Sequence, residues 1–126
     1  MMLQVLDIFF LLFHTLFTLF NMTGWIFART RKIHLVTMLL TAFSWCVLGI
    51  WYGWGYCFCT DWHWQVRNAL RKPIVYNSYI QFLLHEITGY TPDAHITDIT
   101  VAGVFIICLC FSVILNIKDY TAKRKA

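Results

Sequence analysis

Three runs of apolar residues, 3–27, 33–56 and 96–117, constrain this chain more than any other feature. Each is long enough to cross the ~30 Å hydrocarbon core of a bilayer, which takes about 20 residues at ~1.5 Å rise per residue. Together they fill more than half of the 126 residues. With 60% hydrophobic and only 13% charged residues, the chain is too apolar for a water-soluble globule of this size. The expected fold is an all-α integral membrane protein, a single membrane domain over 1–126. It would have three transmembrane helices, an outer helical connection over 57–95 and a basic cytoplasmic tail over 118–126. A secretion signal opens with positive charge and closes on small residues. Here Asp7 is early and Arg29, Arg31 and Lys32 follow the apolar run, so the first run is expected to be a retained span.

Basic residues beside short loops stay cytoplasmic. Arg29, Arg31 and Lys32 form one cluster, and Lys118, Lys123, Arg124 and Lys125 another. If both lie inside, spans two and three leave and return, and the N-terminus is outside. A four-span bundle, with Ile74 to Tyr90 crossing as well, ties with this by lysine and arginine count. That segment, however, carries Asn77, Ser78, Gln81, His85, Glu86 and Thr88. One charged group at mid-span costs ~2.5–3.5 kcal/mol, so three spans are preferred.

The connection over 57–95 is too long for an idle loop. Thr60 or Asp61 can cap a helix that Pro73 must end. Trp62, Val66, Ala69 and Leu70 recur on it at helical spacing, opposite His63, Arg67 and Arg71, the pattern of an amphipathic helix lying in the interface. After Pro73 a second such pattern sets Tyr76, Tyr79, Ile80, Leu83, Ile87 and Tyr90 against Asn77, Gln81, His85 and Thr88, lying flat or re-entrant. Thr91 then caps the last span, with Pro92 at its first position.

The stretch "GYCFCTDWHW", Gly55 to Trp64, crowds two thiols, an imidazole and a carboxylate among aromatic rings. Trp51, Trp54, Trp62 and Trp64 with Tyr52 and Tyr56 form an aromatic belt where span two surfaces, since amphipathic rings prefer that depth. Cys57, Cys59 and His63 also make a C-x-C-x3-H set of the donors that zinc or copper takes, with a fourth ligand from Asp61, His85, His95 or Asp93. A third reading is thiol exchange on the oxidising side of the membrane. Against it, the usual redox spacing is C-x-x-C, and Cys46, Cys108 and Cys110 lie inside spans, where they cannot relay electrons.

Within span one, Asp7, His14, Thr18 and Asn21 share one stripe, which must face protein rather than lipid. His34, Thr37, Thr41 and Ser44 answer in span two, and Cys108, Ser112 and Asn116 in span three, so the stripes are expected to bond across the bundle. His14 has no second histidine at its depth to share a haem, and is expected to be a neutral, hydrogen-bonded core residue. Arg67, Arg71 and Lys72 can hold a lipid phosphate, or form a solvated face. Nucleic acid is not an expected partner, because the positive charge is split among short clusters.

"HTLF" at His14 to Phe17, the basic turn ending at His34, and the Gly-Tyr-Cys turn followed by Thr60 and a short helix with Arg67 resemble a family. It is a family of small multi-pass bacterial inner-membrane proteins whose function is unknown. The resemblance covers roughly 5–117. The family's turn reads Cys-Pro-Leu-Thr, so Cys57 and Thr60 match while Phe58 and Cys59 depart from it. The departure implies that paired-cysteine chemistry is not the family's general function. The resemblance implies architecture and location, the bacterial inner membrane, and no activity. The tryptophan-rich form of the turn suggests a Bacteroidetes-type member.

The expected function is a non-catalytic accessory or scaffold subunit that binds membrane lipid or a larger membrane complex and needs no cofactor. The alternative is a periplasm-facing thiol-redox or zinc- or copper-binding membrane protein that uses Cys57, Cys59 and His63.

Overall fold

The computed structural model describes residues 1–53, 56–72, 75–76 and 78–125. Trp54 of the expected belt, Gly55, Pro73, and Ile74 and Asn77 of the second amphipathic pattern lie outside the described residues. Five helices follow in order: α1 (Met2–Thr23), α2 (Arg31–Tyr52), α3 (Phe58–Ala69), α4 (Tyr79–Thr88) and α5 (Ala94–Lys125). Among the described residues there are no strands. Three helices, α1, α2 and α5, are long and apolar enough to cross a membrane. The 10-residue α4 is not, which sets the four-span alternative aside.

The chain divides into two compact units. One comprises Met1–Thr15 and Cys57–Gly103, the other Leu16–Tyr56 and Val104–Ala126.

In the second unit, neutral polar groups join the helices. His34 is fully buried, with Nδ1 3.0 Å from Ser112 Oγ and Nε2 2.8 Å from the carbonyl of Asn21. A carbonyl only accepts, so Nε2 carries the proton and the Ser112 hydroxyl donates to Nδ1. The Asn21 amide donates to Thr41 Oγ1 at 3.0 Å, and the Asn116 amide to the Arg31 carbonyl at 3.0 Å. The polar stripes of the three spans thus meet here. Each such bond contributes about 0.6 kcal/mol, up to about 2, where the alternative is a polar group in hydrocarbon. Trp25 stacks on Phe111 at 4.8 Å, and Trp45 lies 4.6 Å from Phe105.

α1 stops at Thr23, short of the expected Phe27. Gly24 folds in under the preceding turn, its N–H donating to the Phe20 carbonyl at 2.7 Å. The Thr30 hydroxyl closes the loop onto the Gly24 carbonyl at 2.6 Å. α2 contains one π-helical turn, Ser44–Leu48, whose first residue donates from its hydroxyl to the Tyr56 carbonyl at 2.9 Å. It ends at Gly53, where φ is 104°, a conformation that a side chain would strain. α5 runs through the expected tail to Lys125, with Lys123, Arg124 and Lys125 in its last turn, where cations suit the helix dipole.

In the first unit, Ser78 caps α4 by accepting from Gln81 N at 3.2 Å, and Gly89 ends it at φ 76°. The start of α5 corrects an expectation: Asp93, not Thr91, is the cap, its Oδ1 accepting from Ile96 N at 3.0 Å. A carboxylate satisfies an exposed first-turn N–H better than a hydroxyl, and Thr91 bonds His85 Nδ1 at 2.8 Å instead.

Gly24 provides a test of packing. A Cβ there would lie 2.8 Å from the His34 ring and 2.9 Å from the Phe20 carbonyl oxygen, whereas one at Gly103 would meet open space. We predict that Gly24→Ala destabilises the protein by about 1–3 kcal/mol through overpacking. Gly103→Ala, in a helix interior, should instead stabilise it by about 0.5–1 kcal/mol. Thermal unfolding in detergent would check the opposite signs.

Candidate functional site

The polar residues of the first unit gather along the early turns of α1. Asp7 and His14, seven residues apart, are its buried residues. An ionised carboxylate on so apolar a helix must be paired, and the α3 segment supplies the partners. Asp7 Oδ1 lies 2.7 Å from His63 Nε2 and 3.5 Å from Arg67 Nη1, and Oδ2 lies 2.8 Å from Lys72 Nζ.

This arrangement overturns two expectations for α3. The helix starts at Phe58 with Cys57 as its N-cap residue, three or four residues before the expected cap at Thr60 or Asp61. Its basic face is also turned inward: His63 is fully buried and Arg67 half-buried against α1, while Trp62 of the apolar stripe is 51% exposed. That basic face was expected to be solvated or to meet lipid phosphates. A charge inside the unit reverses that expectation, because leaving Asp7 unpaired costs more than exposing an indole.

Phe82 of α4, 1% exposed, forms the apolar centre of the unit. His63, Trp64 and Tyr76 meet its ring edge-to-face at 5.7, 5.2 and 5.5 Å, and the Arg67 guanidinium lies 4.6 Å from its centroid. Arg67 therefore serves the core as well as Asp7. Of the expected lipid-phosphate set, Arg67 and Lys72 pair with Asp7, and Arg71 is exposed with φ 59°.

Two turns further along α1 than Asp7, His14 makes the second constellation. Its Nε2 lies 3.7 Å from Cys57 Sγ, and its ring stacks on Tyr79 at 3.9 Å. The Tyr79 hydroxyl donates to the Leu11 carbonyl at 3.0 Å. Its one proton is then engaged, so the Thr15 hydroxyl, 2.8 Å away, donates to it. Cys59, buried, follows two residues after Cys57 in the first turn of α3.

The hydrogen bond from Cys59, with help from His14 and Thr60, holds the Cys57 thiol well below the usual range despite its burial. The same bond, together with burial, pushes Cys59 up. The pair thus keeps one proton on Cys59 and favours negative charge on Cys57. Burial lowers the affinity of His63 for a second proton, outweighing the attraction of Asp7. His63 is accordingly neutral, with Nε2–H donating to the carboxylate and Nδ1 buried without a hydrogen-bond partner among the described residues.

The imidazole that reaches Cys57 is thus His14, 43 residues earlier, while His63 bonds Asp7. Among the described residues no group of three or more His, Cys, Asp or Glu side chains is arranged to hold a metal ion. Of the expected stripe on α1, Asp7 and His14 serve the first unit, while Asn21 bonds Thr41 in the second and Thr18 is half-buried. The pairing of His14 with Cys57 was out of reach of sequence patterning, because a connection lying flat outside the bilayer does not meet the third and fourth turns of a span.

Three membrane-length helices, two short ones and this polar cluster define a multi-span helical membrane protein. The chain belongs to the family described as protein of unknown function DUF2784, whose model matches residues 4–117. No curated protein and no solved structure matches it.

Two outcomes follow from the Asp7 cluster. Asp7→Asn leaves Arg67 and Lys72 without their counter-charge and weakens the acceptor of the His63 N–H. We predict a loss of about 3 kcal/mol, at the low end for a broken buried pair because Lys72 is half-exposed. Folded His63 binds a proton less readily than the unfolded chain does, so its contribution is full above the unfolded pKa of about 6.5 and falls as pH drops below it. Thermal midpoints measured from pH 7.5 to 5 should fall more steeply for the native chain than for His63→Gln.

Proposed function

We propose that this is a small non-catalytic accessory subunit of the bacterial inner membrane, which binds a larger membrane partner through the outer faces of α3 and α4. The observation that carries this is the inward turn of the charges. Because His63, Arg67 and Lys72 all end on Asp7, the outer side of these helices presents large apolar groups, with Trp62 51% and Ile87 71% exposed, and Tyr90, just past the end of α4, is 71% exposed. A protein contact is favoured over a phosphate headgroup because two of the three candidate phosphate ligands are neutralised within the unit.

The Arg31–Asp119 ion pair, 3.0 Å, supports the orientation. It brings the start of α2 beside the end of α5, and so sets both basic clusters, seven of the ten Lys and Arg residues, at one pole. By the positive-inside tendency that end of the second unit is cytoplasmic.

The reading is tested by placing a photo-crosslinking benzophenone residue at Ile87 or Tyr90 in native membranes. The expected product is a saturable adduct with one membrane protein at fixed stoichiometry, absent when the probe is at exposed Ile50. Adducts with lipid alone at both positions would reject it.

A further inference from the structure

Cys57 and Cys59 are unlike the other three cysteines, which lie within the membrane-length helices. Cys57 sits at the N-cap of the 12-residue α3, with an extended backbone, φ −122° and ψ 117°. Two residues apart within a helix, side chains point to nearly opposite sides. The extended backbone at Cys57 removes its side chain from that spiral, so its sulfur is not forced to the side opposite Cys59. First-turn amides of α3 favour negative charge on the sulfur. His14 Nε2, 3.7 Å away, is placed to accept its proton.

An independent observation concerns the far side of that ring. His14 is 7% exposed, and its Nδ1 has no hydrogen-bond partner among the described residues. If Nε2 accepts from the thiol, Nδ1 carries an unsatisfied buried N–H, an arrangement that a purely structural histidine avoids.

We propose that Cys57 and Cys59 form a dithiol that exchanges with low-molecular-weight disulfides, with Cys57 as nucleophile, Cys59 as resolving thiol and His14 as proton acceptor. In the first step His14 takes the Cys57 proton and the thiolate attacks one sulfur of R–S–S–R. The Cys57–S–S–R bond forms, the R–S–S–R bond breaks, and the departing RS⁻ takes the proton from His14. In the second step Cys59 loses its proton and attacks Cys57 sulfur. The second RS⁻ leaves as RSH, and the Cys57–Cys59 disulfide remains. Two protein thiols are oxidised and one external disulfide is reduced to two thiols. A small disulfide is favoured because Cys57 is only half-exposed and Cys59 is buried. Closing a ring between cysteines separated by one residue is strained, which makes the product easily reduced and the exchange reversible. The proposal does not depend on the accessory role, since exchange here is stoichiometric.

The test uses the full reduced chain in detergent with glutathione disulfide at pH 7, followed by alkylation and peptide mass analysis. The expected result is a Cys57–Cys59 disulfide, with Cys57 reacting at least about tenfold faster in the folded chain than in the chain denatured by dodecyl sulfate. Cys59→Ser should accumulate glutathione on Cys57, and His14→Gln should slow that step while leaving the thermal midpoint within a few degrees. The proposal is overturned if folded Cys57 reacts no faster than in the denatured chain, or if Cys59→Ser takes up no glutathione there. The folded-versus-denatured comparison needs no substitution, so a variant that fails to fold does not obscure the answer.

Discussion

One carboxylate decides how the first unit is built. Asp7 stands between Leu6 and Ile8 on a helix otherwise suited to hydrocarbon, and an ionised group there is tolerated only with compensating charge and hydrogen bonds. Compensation arrives from a single stretch, His63 to Lys72, which therefore has to lie along α1 with its polar side inward. Once α3 is held that way, Arg67 reaches over Phe82, and α4 is fixed by the rings that surround that side chain. The docking of α3 and α4 is thus a consequence of charge first and apolar burial second.

The second unit uses another kind of glue. Its buried histidine is satisfied on both nitrogens, by a serine hydroxyl and a backbone carbonyl. Such neutral contacts hold helices in lipid without the large desolvation cost of ions. An ion pair, Arg31 with Asp119, involves the half-buried first residue of α2 and an aspartate near the end of α5, where charged groups can reach water.

The spans were legible in the sequence because hydrophobic length is a one-dimensional property, and the three long helices follow the three apolar runs. The meeting of Asn21 with Thr41 and of His34 with Ser112 was legible too, since polar residues at helical spacing have few places to go within a bilayer. The faces of α3 were not. Periodicity separates Trp62 from His63 but does not say which side is inner, because that depends on a residue 56 positions earlier. The His14–Cys57 contact is of the same kind. The cap of α5 failed for a local reason: Thr91 and Asp93 both suit the role, and the engagement of Thr91 by His85 resolved the choice.

α5 has 32 residues, and at ~1.5 Å per residue it measures about 48 Å, well beyond the ~30 Å of hydrocarbon it has to traverse. Because the apolar run ends at 117, residues 118–125, about two turns, project past the lipid tails as a stiff continuation of the span. The cations at its tip are held at a set height above the bilayer, rather than drifting over its surface as they would on a flexible leash. An acidic surface would have to come up to that height to meet them.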